Sequence, residues 1–97
     1  MAKMLVRYRL KPGKEQENVR LIERVFQELS EKGPQDVRYL CMKLGDGTFI
    51  HFVDDSAKFI PGLPAFQSFR SGIAERCSEA PQQSDVTIVG NYRMIAD

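Results

Sequence analysis

His51 is the chain's one histidine and the only side chain able to change charge near neutrality without help from its surroundings. It stands in the apolar run GTFIHFV, which gives it two readings. It is either a general base or hydrogen-bond donor in an apolar pocket, or a neutral histidine satisfied by backbone or by a neighbour across a dimer. With no partner visible in the sequence, the second is the default. Tyr8 and Tyr92 fall on the helix-facing sides of the first and last predicted strands, where hydroxyls need partners and aromatic rings can grip a flat substrate. Phe66 and Phe69 are core residues first and ligand walls second. Arg70 lies one position off the apolar stripe of the second predicted helix, so it either reaches an anionic group in a cleft or points to solvent. These six are the candidate pocket residues, with His51 the candidate catalytic group. Asp46, Asp54 and Asp55 lack the oxygen-ligand spacing of a calcium loop and read as turn and helix-entry carboxylates. Cys41 and Cys77 form no CxxC or His-rich metal set and read as reduced thiols. No phosphate-binding glycine loop or nucleophile elbow occurs, and neither metal nor cofactor is expected.

The elements that must position these residues follow from periodicity. From Gln35 to Asp55 two strands fold about Asp46-Gly47, a pair suited to a two-residue type I′ turn. That turn sets Leu44 opposite Phe49, Met42 opposite His51 and Leu40 opposite Val53, with Tyr39, Cys41, Lys43, Ile50 and Phe52 on the other face. Both faces are largely apolar, so each needs a cover. Upstream, Met4, Val6, Tyr8 and Leu10 alternate as one face of a strand, which Pro12-Gly13 stops. Val19, Ile22, Val25, Phe26 and Leu29 then form the stripe of a helix over 14–32, with a Glu28–Lys32 pair, ended by Gly33-Pro34. Downstream, 56–63 is irregular, and Pro64 opens a second helix whose stripe is Leu63, Phe66, Phe69, Ile73 and Cys77. Gly72 within it costs about 1 kcal/mol relative to alanine and implies close packing or room for a ligand. The polar run 79–85 with Pro81 reads as a loop, and Val86 to Met94 as the last strand.

Strand, helix, strand, strand, helix, strand in one sheet with right-handed crossovers is the ferredoxin-like βαββαβ arrangement, an α+β fold with a four-stranded antiparallel sheet and two helices on one face. It is read as a single domain over 1–97. The uncovered face would carry Arg7, Arg9, Thr87, Val89, Asn91 and Arg93 beside an apolar patch from the hairpin, too apolar to stay open, which predicts a two-fold homodimer packed sheet against sheet. The 97 residues are 42% hydrophobic and 28% charged, with 14 basic against 13 acidic side chains, which leaves no field to gather phosphates and argues against nucleic acid. Arg7 and Arg9 precede any apolar run long enough for a signal peptide, and no segment is long enough to span a bilayer, so a cytoplasmic protein without membrane partners is expected.

The opening VRYRLKPGKEQ, the GTFIHFV strand and the helix carrying FQSFRSGI together resemble the antibiotic biosynthesis monooxygenase-like group of the dimeric α+β barrel superfamily over nearly the whole chain. The resemblance implies the fold and the dimer, and its motifs specify a turn and a strand rather than chemistry. Members include cofactor-free oxidisers of polycyclic phenols, haem-degrading enzymes, lactone isomerases and proteins of unknown role. The haem-degrading branch uses an asparagine on the first strand, a tryptophan before the second helix and a histidine within it. The approximately matching positions here hold Val6, Ile60 and Arg70, and the chain has no tryptophan, so haem degradation is not expected. Two functions stand side by side: a homodimer binding an aromatic or quinone-like small molecule in a small helix–sheet cleft, able to act as a cofactor-independent monooxygenase, and a non-catalytic ligand-binding or assembly module of the same fold. Single-stranded RNA binding on this topology lacks the basic surplus and aromatic signature it would need.

Overall fold

The computed structural model describes residues 3–95. The alternating N-terminal residues form β1 (Lys3–Leu10), and the stripe of 14–32 forms α1 (Glu15–Lys32). Asn18, Ile22 and Val25 are the buried positions of α1, and Gly33 donates its backbone N–H to the Leu29 carbonyl as the helix ends. The hairpin strands are β2 (Arg38–Lys43) and β3 (Thr48–Asp54). A 3-10 turn (Ile60–Gly62) then leads into α2 (Pro64–Ser71), the single-turn α3 (Ile73–Arg76) and β4 (Cys77–Asp85). The sheet order is β2-β3-β1-β4 with every pair antiparallel, the ferredoxin-like arrangement expected from the sequence. Tyr8, Leu10 and Phe49 from the sheet meet Ile22, Val25, Leu63 and Phe69 from the helical side in one core. Glu28 ties the two main helices together: its carboxylate accepts the Ala65 backbone N–H at the start of α2 at 2.9 Å, and its second oxygen lies 3.8 Å from Lys32 Nζ. Asp55 accepts the backbone N–H groups of Phe59 and Ile60 at 2.9 and 2.8 Å, while Asp54 pairs with Lys3 at 3.3 Å.

The hairpin register differs from the expected one by one residue. Leu44 donates to the Thr48 carbonyl at 2.8 Å, and Gly47, at φ +86°, donates back to the Leu44 carbonyl at 3.3 Å, enclosing a three-residue loop. Asp46 Oδ1 accepts the Thr48 N–H at 3.0 Å, so this carboxylate closes the turn and only Gly47 needs the left-handed region. Hydrogen bonding from the Thr48 side chain, and then from its backbone N–H, also holds the exposed Asp46 carboxyl below its usual range. The pairs are therefore Lys43 with Phe49, Cys41 with His51 and Tyr39 with Val53. Because strand side chains alternate, the slip moves all of β2 to the opposite face. Tyr39 and Cys41 join His51 under the helices, while Leu40, Met42 and Leu44, each more than 40% exposed, lie on the uncovered side with Ile50 and Phe52.

The C-terminal third departs further. The second helix ends at Ser71 instead of running to Cys77. The expected loop at 79–85 is instead β4, paired with β1, and Val86 to Met94 is not a strand. Two register shifts fall opposite Arg7–Leu10, around Ala80-Pro81 and at Ser78. A proline on an edge strand at a bulge costs no ladder hydrogen bond. The ladder reaches Val86, whose N–H donates to the Lys3 carbonyl at 3.2 Å, where β1 begins. The segment beyond pairs with no strand of the described residues, and Val89, Tyr92 and Met94 in it are more than 80% exposed. Among the described residues no helix is long and apolar enough to cross a membrane.

Candidate functional site

His51, on the central strand β3, is 4% exposed. Its Nε2 lies 2.8 Å from Tyr8 Oη on β1, its Nδ1 lies 2.6 Å from Tyr39 Oη on β2, and Cys41 Sγ stands 3.5 Å from Nε2. Behind Tyr8, Asn18 of α1 donates from Nδ2 to Tyr8 Oη at 2.8 Å and accepts from Arg76 Nε on Oδ1 at 3.0 Å. Arg76, the last residue of α3, also donates from an Nη to the Phe69 carbonyl at 2.7 Å. One hydrogen-bonded chain thus runs from β2 through β3, β1 and α1 to α3, joining residues between 8 and 76 in the sequence.

Aromatic rings wall this chain. The His51 ring centroid lies 5.3 Å from Tyr8, 5.5 Å from Phe69 and 5.7 Å from Tyr39. Tyr39 stacks on Phe26 of α1 at 4.7 Å, and Tyr8 on Phe49 at 5.6 Å. Arg76 Cζ sits 5.3 Å from the Phe69 ring centre, so its buried charge rests on a π face and neutral acceptors, without a carboxylate partner among the described residues. Gly72, at the α2–α3 break, leaves the space this side chain needs: a Cβ there would stand 3.0 Å from Arg76 Nη1. The close approach implied by that glycine is made by a side chain.

Burial sets the protonation states. It lowers the His51 pKa from 6.5 to about 4, so the ring is neutral at pH 7. Burial raises Tyr8 and Tyr39 well above ordinary phenols, although the Asn18 hydrogen bond partly opposes this for Tyr8. The Cys41 thiol is pushed up to about 11, also by burial, so it is no nucleophile at neutral pH. A neutral imidazole between two phenols can hold an oxygen by hydrogen bonding and pass a proton along a line.

Of the residues singled out from the sequence, Tyr8, His51 and Phe69 come together, with Phe66 one step outside, 5.9 Å from Phe69. Arg70 is exposed and lies over Phe66 at 5.6 Å. Tyr92 does not join them: it sits beyond β4, 81% exposed, and no strand places it under the helices. The small open cleft expected between helices and sheet matches neither of the two described hollows. Tyr8, Phe49, Leu63 and Phe69 pack there in one buried cluster, and among the described residues every buried side-chain polar atom has a partner. The two described hollows lie elsewhere, one of about 480 Å³ between the β2–β3 turn and the start of α1, the other of about 310 Å³ beside α1 and Lys43. Among the described residues no three His, Cys, Asp or Glu side chains cluster as a metal site requires. Sequence reasoning missed Asn18, Tyr39, Cys41 and Arg76. Asn18 carried a signal, since it lies four residues before Ile22 and seven before Val25, a polar side chain on the apolar face of α1.

No family model and no curated protein matches the chain. Solved structures do. A crystal structure of an antibiotic biosynthesis monooxygenase superposes with a TM-score of 0.73 at 12% identity, covering 93% of this chain and 100% of that one. A protein of Bacteroides thetaiotaomicron, provisionally assigned as an antibiotic biosynthesis monooxygenase, gives 0.78 at 14% identity over 98% of this chain and 95% of its own. Rv0793 from Mycobacterium tuberculosis gives 0.72 at 12% identity over 93% and 96%. At such identities the likeness establishes a shared fold and leaves the chemistry to the site.

Proposed function

We propose that this chain is a homodimer that binds an aromatic or quinone-like small molecule at the outer end of the His51 network, and that it can act there as a cofactor-independent monooxygenase or oxidase of phenols. The observation that carries the reading is Tyr39. Its phenol oxygen stands 2.6 Å from His51 Nδ1, its ring stacks on Phe26 at 4.7 Å, and the side chain is only half-buried. The protein therefore already holds a phenol against a neutral imidazole and an aromatic wall, and a ligand of that shape gains the same contacts when Tyr39 swings out. The fold shared with antibiotic biosynthesis monooxygenases supports the choice of chemistry. For a hydroquinone, oxidation by dioxygen gives the quinone, with both electrons and both protons leaving in hydrogen peroxide.

Tyr39→Ala removes the resident phenol. Millimolar p-cresol is expected to raise the melting temperature of Tyr39→Ala by several degrees and that of the native protein by much less. No selective rescue would count against phenol recognition. Oxygen-electrode assays with hydroquinones and polycyclic phenols, scored for peroxide, test the reaction itself.

A second reading, a non-catalytic binding or assembly module, is favoured by the packed cluster between helices and sheet and by the pairing of every buried side-chain polar atom among the described residues. An intact dimer with neither oxygen uptake nor any ligand-induced thermal shift would establish it. The dimer itself rests on Leu40, Met42 and Leu44, exposed beside half-buried Leu5, Ile50 and Phe52 on the face without helices. A two-fold interface counts each substitution twice. Leu40→Glu with Met42→Glu is thus expected to weaken association roughly 1,000-fold or more, from two desolvated carboxylates per protomer. Sedimentation equilibrium reads the outcome, and an unchanged dimer would move the interface elsewhere.

A further inference from the structure

We infer that Arg76, through Asn18, sets the direction of every proton donor in the chain Arg76–Asn18–Tyr8–His51–Tyr39, so that His51 carries its proton on Nδ1 and the site presents a donor at its outer end. A guanidinium has donors and no acceptor. Arg76 Nε, 3.0 Å from Asn18, therefore fixes the amide oxygen on its own side and turns the Asn18 Nδ2–H group toward Tyr8, 2.8 Å away. Having accepted from Asn18, the Tyr8 hydroxyl directs its own hydrogen to its other close partner, His51 Nε2 at 2.8 Å. The Cys41 thiol, a weak donor, faces the same nitrogen at 3.5 Å. Nε2 is then the bare nitrogen, and Nδ1–H donates to Tyr39 Oη at 2.6 Å. Tyr39 is left with its hydroxyl hydrogen aimed outward. Neither Arg76 nor Asn18 touches the outer end of the site, and both act on it as positioning residues.

The consequence for ligand class rests on the reading of this site proposed above. Whether the ligand meets Tyr39 or replaces it, the protein offers a hydrogen, so the ligand must offer an acceptor oxygen, as a quinone carbonyl does. His51 acts there as a donor rather than as a base. Asn18→Asp reverses the line. An aspartate accepts from Arg76 with one oxygen and from the Tyr8 hydroxyl with the other, so Tyr8 must accept from Nε2–H and Nδ1 becomes bare.

Long-range 1H–15N NMR of the single histidine distinguishes the tautomers directly and needs no ligand. At pH 7 the native protein is expected to show a protonated-type Nδ1 and a bare-type Nε2, and Asn18→Asp the two resonances exchanged. A native Nε2–H tautomer overturns the inference, as does a folded Asn18→Asp variant with no exchange. If Asn18→Asp fails to fold, Asn18→Leu, which deletes the Asn18 donor, is expected to mix the two tautomers, and a pure Nδ1–H form there removes Asn18 and Arg76 from control. The ligand arm uses duroquinone and its hydroquinone under nitrogen. The quinone-to-hydroquinone affinity ratio is expected to fall roughly tenfold in Asn18→Asp, the effect of setting an acceptor against an acceptor. An unchanged ratio with exchanged tautomers overturns the ligand reading alone.

Discussion

Arg76→Ala is expected to lose about 3–5 kcal/mol of folding stability, a large share of the roughly 5–15 kcal/mol that holds a domain of this size together. The side chain is 3% exposed and bridges α3, α2 and α1 through the Phe69 carbonyl and Asn18. Truncation strands two buried acceptors, each costing about 1–3 kcal/mol, and opens a cavity against Phe69 and Gly72. It also releases the Asn18 amide to turn over, so the loss spreads to Tyr8 and His51. Arg76→Lys keeps a cation but not the rigid fork that reaches both acceptors, and is expected to lose roughly half as much. Arg24→Ala, on the exposed face of α1, is the control and should stay within about 0.5 kcal/mol. Urea melts followed by circular dichroism measure all three. If Arg76→Ala matches Arg24→Ala, the buried chain of hydrogen bonds does not support the fold.

The elements legible in the sequence were those whose side chains alternate or recur against a core: β1, the α1 stripe and the two hairpin strands. Together with a second helix drawn too long and a last strand drawn one segment too late, their order was enough for the ferredoxin-like topology. What escaped was decided by backbone hydrogen bonding. The hairpin register depended on Asp46 closing a three-residue loop through the Thr48 N–H, a choice Gly45-Asp46-Gly47 leaves open by composition. That one-residue slip hid Tyr39 and Cys41 from the site. β4 was hidden for a related reason. An edge strand exposed along most of its length, CSEAPQQSD, has no alternation to display, and it exists because β1 needs a partner on that side. Val86 to Met94 has the alternation of a strand but pairs with no strand of the described residues. Of the site, His51, Tyr8 and Phe69 were legible as a polar group among aromatics on predicted core faces. Arg76 was not, because carrying the second helix through Cys77 removed the break at Gly72 that folds its guanidinium inward.

Stability is expected to fall by about 2–3 kcal/mol between pH 7 and pH 4.5 through His51 alone. Burial lowers its pKa to about 4 in the folded chain against 6.5 in an exposed one, so between those values the unfolded chain binds the extra proton and the folded one refuses it. Stability therefore rises with pH across this window: the contribution is complete above 6.5 and is lost as pH falls toward 4. At 1.36 kcal/mol per pH unit the whole gap corresponds to roughly 3 kcal/mol, of which most is gone by pH 4.5. The groups in contact with the ring do not share the window, since Tyr8, Tyr39 and Cys41 are all shifted upward, away from it. Protonation would leave Nδ1 and Nε2 both donating, and Tyr8, already accepting from Asn18, would have to turn its hydroxyl away. His51→Gln keeps a neutral donor and acceptor between the two tyrosines and cannot titrate. The test is the difference in pH slope between His51→Gln and the native protein from urea midpoints at pH 4.5, 5.5 and 7, which cancels the surface carboxylates common to both. Parallel slopes would mean that the imidazole meets water freely. It could not then hold Nε2 bare inside an aromatic wall, and the acceptor-oxygen specificity built on the Nδ1–H donor would fall with it.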